Sequence, residues 1–340
     1  MPDAPVLVVN AGSTSLKLHL VTSDDEAIPL ESLAEASRAN VFAVAHRIVH
    51  GGALREPTLL TAQVLRAVEE ASALAPLHNR PAVAAIREAT AALPAVPHVA
   101  VFDTGFHATI PPAAATYAVP NRWREQWDVR RYGFHGLSVQ WAAEQARAER
   151  LAVCHLGGGS SVTAVLDGRS VDTTMGFSPL EGVPMTTRSG SLDPAVLLYL
   201  LREERLSLAE LADELEHESG LTGLSDGGSG DIREASPLAL DVYVHRVAGA
   251  VGAAATALGG LDALVFTAGI GERSPGTRAR IAERLAFLGV ELDPAANAAA
   301  EPDADLSAPG ARVRTLVIRA REEIVAARAA RAVLGRWVGA

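Results

Sequence analysis

Hydrophobic and polar positions alternate in short blocks from the start of the chain. Val6-Leu7-Val8-Val9 breaks at Asn10-Ala11-Gly12-Ser13-Thr14-Ser15 and resumes as Leu16-Lys17-Leu18-His19-Leu20-Val21, which predicts strand, tight polar turn, strand. The same construction returns at Leu151 to Leu156, Gly157-Gly158-Gly159-Ser160-Ser161, and Val162 to Leu166. Two hairpins alike in design, near the start of each half, predict a duplicated domain. Thr61 to Ala75 and Pro81 to Leu93 carry helical apolar spacing, with Pro81 suited to a first helical turn. Val99 to Phe102 and Leu264 to Thr267 read as buried strands, the first ending at Asp103 and the second at Gly269-Ile270-Gly271. A helix is expected from Asp193-Pro194 through Leu200, a long one from Leu238 to Leu258, and a last one from Arg321 to Leu334. Residues 293–312, rich in Ala, Pro and Asp, read as a surface loop.

The resulting picture is mixed α/β, and composition narrows its function. The 340 residues suffice for two domains with cores of their own. A net charge of −10 argues against a nucleic-acid partner bound through a broad basic surface. No run of 18 apolar residues calls for a membrane, and the single cysteine, Cys154, suits a reducing cytoplasm. Lys17 is the one lysine among 30 basic residues; the rest are arginine.

Candidate chemistry gathers at strand ends and small-residue turns. Tight turns of Gly, Ser and Thr aim backbone N–H groups and hydroxyls at a common point, as phosphate sites require. His46-Arg47-Ile48-Val49-His50-Gly51-Gly52 places a cation at a strand end beside a glycine pair, where it would hold an anion or pair with a surface carboxylate. Asp103 stands where open α/β sheets keep ligands, although a turn cap is the plain alternative. Arg131-Tyr132-Gly133-Phe134-His135-Gly136 brackets an aromatic residue and a histidine with glycines. Pro179-Leu180-Glu181-Gly182 and Thr186-Thr187-Arg188-Ser189-Gly190 form a long irregular polar stretch. The third glycine of a dinucleotide fingerprint is Ser274 here, and the Walker pattern is absent.

Taken in order, Val8 to Lys17, His46 to Gly52, Leu74-Ala75-Pro76-Leu77-His78-Asn79, Phe102-Asp103-Thr104, Tyr132 to Gly136 and Phe266 to Glu272 resemble the acetate kinases nearly end to end. That resemblance implies duplicated ribonuclease-H-like (actin-like ATPase) α/β domains with an interdomain cleft. Residues 1–147 with 322–340 would form the carboxylate side and 148–321 the nucleotide and dimerisation side. It also implies reversible, Mg2+-dependent transfer (Mn2+ as substitute) of the ATP γ-phosphoryl group to acetate, giving ADP, in a cytoplasmic homodimer. Arg47 would hold the acetate carboxylate, Arg188 the transferring phosphoryl with His135, and Asp103 would orient Arg47 or help position the metal. Asn10 and Glu322 match the metal-associated pair. Ser13, Ser15, Lys17, His155, Leu156, Gly157, Gly158, Gly159, Asp231, Ile232, Arg233, Gly269, Ile270, Gly271 and Arg273 match the nucleotide-binding positions. Val49, Leu77, Phe134 and Pro179 match the pocket for the acetate methyl.

Four departures stand against the family pattern: Gly158 for an Asn, Arg273 for an Asn, Arg319-Ala320-Arg321 for Pro-Thr-Asn, and a shortened segment 18–45. They leave donor preference open, pyrophosphate included. Propionate or butyrate kinase is the neighbouring reading, and a non-catalytic nucleotide or acyl-phosphate sensor is the alternative of another class.

Overall fold

A computed structural model of the chain describes residues 4–11, 16–72, 74–225 and 228–338. The chain divides into two compact units, one of residues 1–108, 134–141 and 321–340, the other of residues 109–133 and 142–320. Thr109–Gly133, which the sequence reading places in the first half, packs within the second unit.

In the first unit, the strands β1 (Val6–Ala11), β2 (Leu16–Val21), β3 (Ala27–Leu30), β4 (Ala43–Ile48), β5 (Thr58–Leu59) and β6 (His98–Phe102) form one sheet in the order 3-2-1-4-6-5. The second unit contains β7 (Arg150–Leu156), β8 (Ser160–Leu166), β9 (Arg169–Thr173), β10 (Ala263–Thr267), β11 (Ala304–Asp305) and β12 (Arg314–Val317). Their order is 11-12-10-7-8-9, the same arrangement shifted by six strands. In each sheet a leading hairpin is antiparallel, β1–β2 or β7–β8, and the strands beyond it, β4 and β6 or β10 and β12, run parallel. The duplication read from the two hairpins thus extends to whole sheets.

Burial explains the sequence patterns. β1 and β4 are covered on both faces, so residues 6–9 and 43–45 are continuous apolar runs rather than alternating ones. Leu7, Val9 and Val44 pack with Ala82, Ala85 and Ala89 of the helix Pro76–Ala92, while the helix Glu322–Val338 also packs on β1, β4 and β6. In the second unit, the helix Pro237–Leu258 lays Tyr243, Val244, Val247 and Val251 on a core containing Ala152, Cys154, Leu156, Leu264 and Phe266.

Two local readings are corrected. The helix expected from Pro81 begins at Pro76, and Pro81 lies inside it. Its first turn is tied down by Asn79, whose side chain donates to the His50 carbonyl (2.8 Å) and accepts from the His50 N–H (3.0 Å). Residues 293–312 are not all loop: Asp293 accepts from the Ala295 and Ala296 amides and so caps a helix, Pro294–Ala299, and β11 follows.

Candidate active site

The first unit builds an arginine whose side-chain position is fixed on nearly every side. Arg47, near the end of β4, donates from Nε to Asp103 Oδ1 (3.0 Å) and from Nη2 to Asp103 Oδ2 (2.6 Å). Its Nη1 donates to Asn10 Oδ1 (3.0 Å), and Glu322 Oε2 lies 3.4 Å from Nε. β1 and β6 flank β4, so Asn10 and Asp103 arrive from the neighbouring strand ends. Glu322 opens the last helix. These contacts occupy only some of the five guanidinium N–H groups, and the side chain keeps 15% of its surface exposed. The remaining donors can fork onto a carboxylate. Burial works against the Arg47 charge, but Asp103 and Glu322 more than offset it and hold its pKa above the ordinary value. Burial also pushes the Asp103 carboxyl up to about 6, against the pull of Arg47.

Asp103 organises a second feature of this unit. Its carboxylate accepts from the His135 backbone N–H, and its carbonyl from the Gly136 N–H at 3.1 Å. His135 holds φ at +60°, a conformation that costs a residue with Cβ and persists only where surroundings enforce it. A Cβ on Gly136 would lie 2.0 Å from the Asp103 carbonyl oxygen, so no side chain fits there. The preceding Phe134 carbonyl accepts from His107 Nε2 at 2.8 Å. Phe134 is buried with His50 against its ring at 5.5 Å, and Val49 is also buried. Lys17 is exposed on β2, opposite Asn10 in the hairpin register. Ser13 and Ser15 lie outside the described residues, and so does the Leu77 side chain.

The second unit holds a cavity of about 280 Å³ beside its Gly-rich hairpin. Gly157, Gly158, Asp231, Ile232, Arg233, Gly269, Ile270 and Arg273 line it, together with Thr186 and Ser274. Gly159 shapes the tip by accepting from Gly157 N–H (3.0 Å), and Ser160 Oγ bridges Gly157 to the Tyr243 hydroxyl (3.1 Å). His155, buried, stands one residue before the end of β7, whereas the Leu156 side chain is turned into the core. Arg233 chelates Asp231 and holds its carboxyl down to about 2.

Arg188 lies on the irregular stretch of the same unit, donating to the Pro179 carbonyl (3.0 Å). Burial lowers its pKa, with Glu216 opposing. A network around Arg131, Glu181 and Tyr117 holds this stretch. Arg131 Nη1 donates to the carbonyls of Thr173, Thr174 and Met175, and its Nη2 pairs with Glu181 at 2.9 Å. Tyr117 donates to the other Glu181 oxygen and accepts from Phe177 N–H. The signal for Glu181 was the polar stretch itself; for Tyr117 the sequence offers none.

Two sheets of one strand order, each opening on a small-residue hairpin, place the chain among the actin-like α/β proteins, and a cavity beside the hairpin of one with a braced arginine in the other suits a phosphotransferase with an anionic acceptor. Residues 30–328 match the Acetokinase family. The acetate kinase of Thermotoga maritima is 44% identical over 336 residues, covering 92% of this chain and 82% of that protein. Among solved structures, a propionate kinase from Francisella tularensis superposes with a TM-score of 0.89 at 32% identity, covering 97% of this chain and all of that one. Porphyromonas gingivalis acetate kinase gives 0.85 at 31%, with the same coverage. The chain belongs to the acetokinase family, phosphotransferases that use a carboxyl group as acceptor.

Proposed function

We propose that the chain is an acetate kinase that transfers the γ-phosphoryl group of ATP to acetate, reversibly, giving acetyl phosphate and ADP. The observation that carries this reading is the Arg47 guanidinium, held from behind by Asp103, Asn10 and Glu322 with further N–H groups left to bind a carboxylate. Family membership supports it from outside the geometry.

The residue types follow from the chemistry. A small carboxylic acid with a pKa about that of Glu, near 4.3, is ionised at neutral pH, so the nucleophile needs no general base. The obstacle is the approach of one anion to another, and cations with fixed positions lower it. Arg47 holds and orients the acetate oxygens. Val49, Leu77, Phe134 and Pro179 receive its methyl group. Asp103 orients Arg47 and does not take the proton. Arg188 neutralises the charge on the transferring phosphoryl, and His135 donates to it. The lining of the 280 Å³ cavity at Asp231, Ile232, Arg233, Gly269, Ile270 and Arg273 takes the nucleoside with Gly271, while the Gly157 hairpin and Ser13, Ser15 and Lys17 take phosphates. We assign the first unit to the acceptor side and the second unit to the nucleotide side.

Among the described residues, no three His, Cys, Asp or Glu side chains cluster as a ligand set. One carboxylate and one amide, Glu322 and Asn10, stand 3.5 Å apart. This donor set fits Mg2+, or Mn2+, which is held mostly by water and substrate phosphates with few protein ligands. Bound there, the metal would neutralise phosphoryl charge. Exposed Leu192, Val196, Leu198 and Tyr199 on the second unit support a homodimer through that unit. Buried, unpaired Cys154 is in keeping with a cytoplasmic location.

Propionate is the expected slower acceptor, because one methylene in an apolar pocket discriminates by only about 1–3 kcal/mol. A panel of acetate, propionate and butyrate against ATP, GTP and pyrophosphate tests the assignment. The highest kcat/KM is expected for acetate with ATP, and a higher value for butyrate or pyrophosphate would replace it.

A further inference from the structure

The Gly269-Ile270 wall of the nucleotide cavity is carried by a six-residue helix, Ala268–Arg273, that starts in a strained conformation: Ala268 has φ +65°. Thr267 stands at its N-cap position but makes no capping hydrogen bond, and its buried hydroxyl has no partner among the described residues. The Ala268 N–H is instead taken by Glu272 Oε1 at 3.0 Å. The same oxygen accepts the N–H of Ala320 at 2.9 Å. Ala320 is the last residue of the second unit before the chain passes to Arg321 and Glu322. That exit segment follows β12 and is further held by Ile318 N–H on the Phe266 carbonyl (3.0 Å) and Arg319 N–H on Asp303 Oδ1 (2.7 Å).

The other end of the short helix is also fixed. Arg278, 1% exposed, donates from Nη1 to the carbonyls of Gly271 (2.9 Å) and Glu272 (2.8 Å) and from Nε and Nη2 to Asn297 Oδ1 and O. A guanidinium at a helix C-terminus meets the carbonyls that helix geometry leaves unpaired. With both ends held, the Glu272 carboxylate oxygen joins this turn to the exit segment.

We propose that Glu272 is a positioning residue: through one oxygen it ties the nucleotide-facing turn at Ala268-Gly269 to the segment that delivers Glu322, so that nucleotide seating and the start of the last helix are coupled. The inference rests on the nucleotide site assigned above and adds a residue that the site did not include. Glutamine keeps an acceptor oxygen at the same reach, whereas alanine removes it and aspartate falls one methylene short.

The test compares the wild type with Glu272→Gln, Glu272→Ala and Glu272→Asp. MgADP affinity is measured by calorimetry, the KM values for ATP and acetate by steady-state kinetics, and exchange at the Ala320 amide with and without MgADP. Glu272→Ala should weaken MgADP binding and raise KM for ATP by about tenfold or more, the scale of lost hydrogen bonds to a charged acceptor, with KM for acetate within about twofold. Exchange at Ala320, slowed by MgADP in the wild type, should lose that response. Glu272→Gln should restore all three, and Glu272→Asp should follow alanine, keeping the test open if the alanine variant does not fold. Unchanged MgADP affinity, a parallel rise in both KM values, a persisting response at Ala320, or a glutamine variant as impaired as alanine would each overturn the proposal. A wild type that binds no nucleotide would instead remove the functional reading beneath it.

Discussion

Arg47 and Asp103, 56 positions apart in sequence, share two hydrogen bonds of 3.0 and 2.6 Å, with the Asp103 side chain only 1% exposed. The pair occupies adjacent parallel strand ends, so the sheet itself sets its geometry. A carboxylate that spends both oxygens on one guanidinium is a brace, and this favours the orienting role for Asp103 over a role as metal ligand. Arg47→Lys keeps the charge but loses the planar fork. It should lower kcat/KM for acetate by about a hundredfold, a loss of about 2.7 kcal/mol, while leaving MgADP affinity within about twofold. Initial-rate kinetics and calorimetry on the variant check both numbers. Equal losses for both ligands would remove Arg47 from the acceptor site.

The raised Asp103 carboxyl predicts an acidic limit on activity. As pH falls through about 6 the brace takes a proton and releases Arg47, so kcat/KM for acetate should decline on that limb. Acetate itself, with a pKa near that of Glu at about 4.3, is still ionised there. The pH profile of Asp103→Asn should be low throughout and lack this limb. A profile of wild-type shape in that variant would assign the limb to another group.

Arg188 is held by the Pro179 carbonyl on a stretch that Arg131, Glu181 and Tyr117 anchor. Arg188→Ala should reduce kcat by about 10³-fold, the lower end for a cation on a transferring phosphoryl group. Its melting temperature should stay near wild type, because the stretch is held by other side chains. A rate within tenfold of wild type would show that Arg188 does not contact the phosphoryl.

Gly136→Ala tests how tightly the His135 turn closes on Asp103. The added methyl would sit 2.0 Å from the Asp103 carbonyl. Backbone must move to relieve that contact, at a cost of about 1–3 kcal/mol, and a lower unfolding midpoint with impaired kcat is expected. An unchanged midpoint and rate would mean the turn is slack.

Burial lowers three histidines in the first unit: His46 to about 3, His107 to about 4, and His98 in the same direction. Each stabilises the fold while neutral, so this stability is present above 6.5, the ordinary value, and is lost as pH falls from there toward about 3. Asp103, with its raised pKa, has the opposite sign between 3.8 and about 6. Urea unfolding at intervals from pH 7 to pH 4 should show falling stability. The slope should be shallower in His46→Phe, and an unaltered slope would place the dependence elsewhere.

What the sequence disclosed follows from how local each feature is. The hairpins were legible because small polar tips interrupt β-branched runs, and their repetition announced the duplicated sheets. The long helix Pro237–Leu258 was legible from apolar spacing. The start at Pro76 was not, because Asn79 fixes that turn by hydrogen bonding to His50 in another element. Asp293 was read for composition when its capping role was the informative property. Arg47 and Asp103 were singled out by their places at strand ends, and Asn10 and Glu322 through resemblance, but their mutual bonding is tertiary. Glu272 and Arg278 escaped for the same reason: their contacts are with backbone groups of segments distant in sequence.

Acetate-dependent formation of acetyl phosphate is the property on which everything else rests. With acetate, MgATP and hydroxylamine, the wild-type chain should produce acetohydroxamate in proportion to enzyme and to ADP released. ATP left intact, with no hydroxamate above a no-acetate control, would contradict the assignment.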